Sequence, residues 1–95
     1  MATLSRNIML EIAKLRREYL DAGNFGASSA TDLADQHVDG IDKLHLPPVE
    51  FFDTVIDRFT VLLQSEYLEA EEKESLARIL EEIVVPQKEN FLHTR

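Results

Sequence analysis

Apolar and polar positions along the chain recur with a helical period, most strongly between Pro47 and Leu63. Wound at about 3.6 residues per turn, Phe52, Val55, Ile56, Phe59, Leu62 and Leu63 fall in one arc roughly 140° wide, as on a core-facing helix. Glu50, Asp53 and Asp57 lie on the opposite side. Pro48 suits a first turn, where its missing N–H costs nothing, and Glu50 and Asp53 suit the positive end of the helix dipole. The pattern predicts a helix over about 48–65 as the centre of a small all-α bundle.

The first helix is expected over about 4–22. Thr3 or Ser5 can cap it, and Gly23 supplies the left-handed position that often follows a helix. Leu4, Ile8, Ile12, Leu15 and Tyr19 follow 4-4-3-4 spacing along one face. A thinner stripe of Met9, Ala13 and Leu20 lies apart from it. That stripe either broadens the buried face or meets a second chain, and spacing does not separate the two.

Asn24 to Ala30 reads as a loop, because it is rich in small residues and carries Gly26. Phe25 within it is expected to tuck against the core. Thr31 to Asp39 then reads as a short helix with Thr31 as its N-cap and Gly40 as its stop. Pro47 and Pro48 force an extended approach to the 48–65 helix. Carried past Ser65, the same period would place Glu66 in the apolar stripe, which is costly, so that helix ends there. A last helix over about 70–85 carries Leu76, Ile79, Leu80, Ile83 and Val84 on one face, with Pro86 ending it. The connection before it is short, and short helix–helix connections make antiparallel neighbours. Residues 86–95 hold Phe91 and Leu92 without a clear period, and read as a loosely packed tail.

Ninety-five residues make one domain, 1–95, able to bury roughly two-thirds of its unfolded surface. There is no cysteine, so no disulfide, zinc–thiolate site or cysteine nucleophile is expected. The chain opens into an amphipathic pattern without an apolar signal core, and no apolar run approaches the roughly 20 residues a membrane span needs. A cytoplasmic location is therefore expected.

Charge sharpens the picture. The net charge is −8, and it is unevenly placed. Residues 1–30 carry four bases against three acids, residues 31–85 carry four bases against fourteen acids, and the last ten residues come to +1. Such an acidic chain repels nucleic acid and anionic lipid. Neither is expected as a partner.

Candidate chemistry is sparse. Asp35 to Gly40 places an acid at loop position one, an acid at five and glycine at six, as a calcium loop does, but His37 occupies position three and Leu46 position twelve. The histidines form no paired Glu-x-x-His pattern. The row Glu50, Asp53, Asp57 reads as a solvated helix face, since acid–base catalysis needs a cleft that shifts pKa values. Gly-rich phosphate loops and hydrolase motifs do not occur. No cofactor or metal and no catalytic residue is expected.

What remains is surface. The stripe Met9, Ala13, Leu20 and the acids Glu69, Glu71, Glu72 and Glu74 are the candidate contact residues. Together they point to a non-enzymatic interaction or regulatory module that forms a homodimer, with Arg16 and Arg17 reaching the copy's acids at the rim. The alternative is an acidic inhibitor or immunity-type protein that blocks a basic, nucleic-acid-binding surface on a larger target, since complementary fields select partners.

Overall fold

In the computed structural model, which describes residues 2–94 and side chains from Leu4 to Thr94, the chain folds as an all-α bundle. Among the described residues there is no strand. The elements are α1 (Ala2–Asp21), α2 (Phe25–Asp42), α3 (Pro48–Leu63), α4 (Ala70–Ile79), a π-helical turn (Leu80–Val84) and α5 (Val85–His93).

The expected faces of α1 and α3 are buried. Ile8, Ile12 and Leu15 from α1 and Phe51, Phe52, Val55 and Phe59 from α3 belong to one buried cluster, while Leu4, Tyr19, Ile56, Leu62 and Leu63 pack at its margin. Glu50, Asp53 and Asp57 are exposed, as on a solvated face. Thr3, one expected cap of α1, has its side chain outside the described residues. Ser5 lies buried within α1 rather than in front of it.

Gly23 ends α1 as expected, at φ +77°. Asn24 N–H donates to Tyr19 O at 2.8 Å and Gly23 N–H to Leu20 O at 3.1 Å. These two bonds close a Schellman motif, which needs a left-handed residue after the last turn. Asn24 then caps the next helix, its Oδ1 accepting from Ala27 N–H at 3.1 Å. Two adjacent residues thus stop one helix and start another.

That corner overturns the expected 24–30 loop and the short helix over 31–39. Residues 25–42 form one helix of 18 residues. Its buried face, Ala27, Thr31, Ala34, Val38 and Ile41 with Ser28 and Ala30 beside them, is made largely of small residues. Helical spacing is present, but side chains this small leave little hydropathy contrast. Thr31 is not a cap. It is fully buried, donates to Ser28 O at 2.6 Å and accepts from Arg16 Nε at 3.0 Å. Gly40 does not stop the helix, and Phe25 does not tuck in, standing 71% exposed at the first turn.

α3 packs against α2, α4, the π turn and α5, and α2 packs against α1, α3 and α4, so the small-residue helix shares the centre with α3. Small side chains let the neighbours of α2 come close. An added Cβ at Gly26 would lie 2.7 Å from Glu71 Oε2 on the α4 side. Ser75 Oγ, buried on α4, donates to Ala27 O at 3.0 Å, tying the two helices through a polar contact sheltered from water.

Pro86 does not end the last helix. The chain stays helical from Ala70 to His93 by widening at Leu80–Val84, where Val85 N–H donates to Leu80 O, five residues back. A proline inside an α-helix lacks a donor and crowds the carbonyl four residues earlier. The π turn relieves this by starting a fresh helical segment in which Pro86 holds a first-turn position. The expected tail is therefore α5, although none of its described side chains is buried.

Candidate interaction surface

α1 positions the first candidate group. Rows along a helix at 4-3-4-3 spacing form a single seam, the geometry by which coiled-coil helices meet. Arg6, Leu10, Ala13, Arg17 and Leu20 follow that spacing, and all five are exposed. Leu10 is 53% exposed and Leu20 44%. Of the expected stripe, Ala13 and Leu20 therefore face outward, whereas Met9 is half-buried against the core. Leu10 takes its place. Its sequence signal was its spacing from Ala13 and Leu20, hidden because Leu10 sits next to Met9 and shares no short period with the buried row.

The bases beside this row divide by role. Arg16 is not available at a rim. Its Nε lies 3.0 Å from both Thr31 Oγ1 and Asp32 Oδ1, and its Nη2 pairs with Asp35 Oδ2. It stitches α1 to α2. Arg17 stays on the outer surface, 3.6 Å from Asp21 Oδ1, and Lys14 lies 2.8 Å from Glu11 Oε2. Exposed pairs of this kind hold little energy, about 0.3–0.5 kcal/mol on a helix, so they exchange partners readily.

The acids at the start of α4 also divide. Glu69 is its N-cap residue, and Glu72 Oε1 accepts from the Glu69 N–H at 2.9 Å, half of a capping box. Glu71 reaches over Gly26 at the first turn of α2, where a carboxylate is favoured by the dipole. Glu74 is exposed, as are Glu81 and Glu82 on the π turn, with Arg78 Nε 3.2 Å from Glu82 Oε2. Arg78 also sits 5.9 Å from the centre of the Tyr19 ring. The acidic run is thus partly helix architecture: Glu71 lies over α2, while Glu82 lines a hollow with Glu11, Lys14 and Glu18 of α1.

The near-match to a calcium loop lies inside α2, where Asp35 is tied to Arg16 and Asp39 to Lys43 at 3.2 Å. His37 faces α3 instead. Its Nδ1 accepts from Arg58 Nη1 at 3.1 Å. Burial, and then the neighbouring guanidinium, push the imidazole below its ordinary value of 6.5. Among the described residues, no group of three or more His, Cys, Asp or Glu side chains is arranged to hold a metal ion, and no helix is long and apolar enough to cross a membrane.

Two open grooves border α5. One, of about 540 Å³, runs between α1 and α5 and is lined by Leu4, Asn7, Leu10, Phe52, Gln87 and Phe91 among others. The other, of about 500 Å³, is lined by Pro47, Pro48, Val49, Glu50 and Phe91. Phe91 stands between them, its ring centre 6.0 Å from that of Phe52. Sequence reasoning left this region as a tail, because Phe91 and Leu92 alone set no period.

Comparison with protein-family models, with curated proteins and with solved structures finds no match. Geometry alone carries the functional reading.

Proposed function

We propose that the protein is a non-enzymatic interaction module that pairs with a second copy of itself through the outer row of α1. The observation that carries this reading is the exposed 4-3-4-3 seam of Leu10, Ala13 and Leu20 between Arg6 and Arg17, on a helix whose opposite face already fills the core. A two-fold axis near Ala13 lets two backbones approach closely, and an isologous contact repeats every interaction twice. With the helices antiparallel, Leu20 packs along the stem of the copy's Arg6, Leu10 along that of the copy's Arg17, and Asp21 comes within reach of the copy's Arg6. Long basic side chains cover apolar surface in this way while their charged ends stay in water.

Replacing Ala13 with Glu tests the reading. The side chain is exposed, so the fold is expected to survive, while two like charges near the axis split the pair. Retained helical circular dichroism with halved mass is the expected result, and a monomeric parent removes the proposal.

A second reading takes the exposed Glu74, Glu81 and Glu82 as a docking face for a basic protein, as an acidic inhibitor would use them. Binding to such a partner would weaken steeply with added salt, whereas pairing through Leu10, Ala13 and Leu20 would not.

A further inference from the structure

The groove between the start of α3 and α5 is set apart by what its walls lack. Pro47 approaches α3 in an extended conformation, φ −57° and ψ 153°, and Pro48 opens the helix. Neither proline has an N–H to offer, and the Pro47 carbonyl already accepts from Phe51 N–H at 2.8 Å. With Val49 beside them, that wall presents mostly hydrocarbon. Across from it stands the half-buried ring of Phe91 on α5. Two contacts between α3 and α5 fix the walls. The Phe91 ring centre lies 6.0 Å from that of Phe52, and Lys88 Nζ lies 2.5 Å from Asp53 Oδ1. The volume of about 500 Å³ is that of a small-molecule site, for which roughly 300–1,000 Å³ is usual.

One charged side chain lines this groove, Glu50. It stands in the first turn of α3, where the helix dipole favours the ionised carboxylate. Among the described residues no base pairs with it, and Lys88, one turn before Phe91, is taken by Asp53. A hydrocarbon slot with an aromatic wall and one unpaired carboxylate complements a cation that carries an apolar body. A neutral ligand would leave the carboxylate unused, and an anion would be repelled by it. We infer that the groove binds a small organic amine, its ammonium at Glu50 and its hydrocarbon body against Phe91, Pro47 and Pro48. An aromatic body adds ring-to-ring contact with Phe91. The site uses none of the outer α1 row, so it and the pairing proposed above can fail independently.

The test is a nitrogen-15 NMR titration of the full chain with phenethylamine, phenethyl alcohol and phenylacetate. The three probes share an aromatic body and differ in the charge at its end. Saturable shifts at the amides of Val49, Glu50 and Phe91 are expected. The amine should bind about two- to fivefold more tightly than the alcohol, as one exposed charge pair allows, and phenylacetate most weakly. Glu50→Gln, at an exposed position, should bring amine and alcohol to equal affinity at unchanged helical circular dichroism. Phe91→Leu, which keeps an apolar contact on Phe52, should weaken all three probes and preserve their order. Equal binding of the three by the parent, or a preference for the amine that survives Glu50→Gln, overturns the inference. Shifts confined to residues 66–74 would assign the cation to the acidic run and overturn it too, as would unshifted groove amides with every probe.

Discussion

Phe59→Ala probes the core where α3 enters it. Phe59 is 0% exposed and belongs to the buried cluster shared by all the long helices. A phenylalanine side chain buries roughly 150–250 Å², which at about 25 cal/mol/Å² gives about 4–6 kcal/mol of transfer free energy. Alanine retains part of that and the core relaxes into part of the void, which brings the expectation to about 3–5 kcal/mol. A domain of this kind has about 5–15 kcal/mol in hand. With a urea slope of about 2 kcal/mol/M, a loss of about 4 kcal/mol moves the midpoint down by roughly 2 M. Val61→Ala, two residues on and 65% exposed, is the internal control and should stay within about 0.5 kcal/mol of the parent. Equilibrium urea denaturation followed by circular dichroism reads both. A shift at Phe59 no larger than that at Val61 would mean that α3 presents the wrong face and would refute the packing described here.

Three further expectations follow from particular contacts. Gly40 lies inside α2, and an added Cβ meets nothing within 4 Å, so Gly40→Ala should stabilise by roughly 0.5–1 kcal/mol; Gly23→Ala, at φ +77°, should destabilise by about 1–2 kcal/mol, and thermal melts that reverse these signs would place the α2 boundaries elsewhere. His37 has its folded-state pKa held below 6.5 by burial and by Arg58, so the unfolded chain binds the proton first as pH falls, and stability is lost downward from about that value. His37→Gln should therefore show a smaller fall in Tm between neutral and mildly acid pH than the parent, and an equal fall, or an imidazole NMR midpoint at or above 6.5, would contradict the assignment. Backbone amides from Lys88 to His93 should exchange with deuterium well before those of Leu76 and Ile79, because α5 buries no described side chain whereas α4 buries these two; equal protection would show α5 to be as firmly held as α4.

Where large apolar residues mark a face, the fold was legible from the chain alone. Ile8, Ile12 and Leu15 place α1, Phe52, Val55 and Phe59 place α3, and Leu76 and Ile79 place α4, since each spacing repeats close to the helical period and each side chain is buried. α2 was half hidden because the residues that bury it, Ala27, Ser28, Ala30 and Thr31, are small or polar, and their burial comes from close approach by neighbours rather than from hydropathy. Asn24, a favourable cap, was the available local signal that a helix begins at Phe25. Pro86 misled for a different reason. Proline usually ends a helix, but a π turn lets the chain absorb it, and nothing in a run such as Leu80-Glu81-Glu82-Ile83-Val84 announces that widening. The candidate surface was partly legible. Ala13 and Leu20 face outward, but Met9 turns inward and Arg16 is engaged by Thr31, Asp32 and Asp35, and only tertiary contacts distinguish a rim arginine from one that joins two helices.

Mass as a function of concentration tests pairing through α1 most directly. Sedimentation equilibrium or light scattering on the parent and on Ala13→Glu should give twice the 10.9 kDa chain mass for the parent, with dissociation on dilution, and the single-chain mass for the variant at the same helical signal. A parent at the single-chain mass throughout, or an Ala13→Glu variant that remains folded and dimeric, would contradict the account.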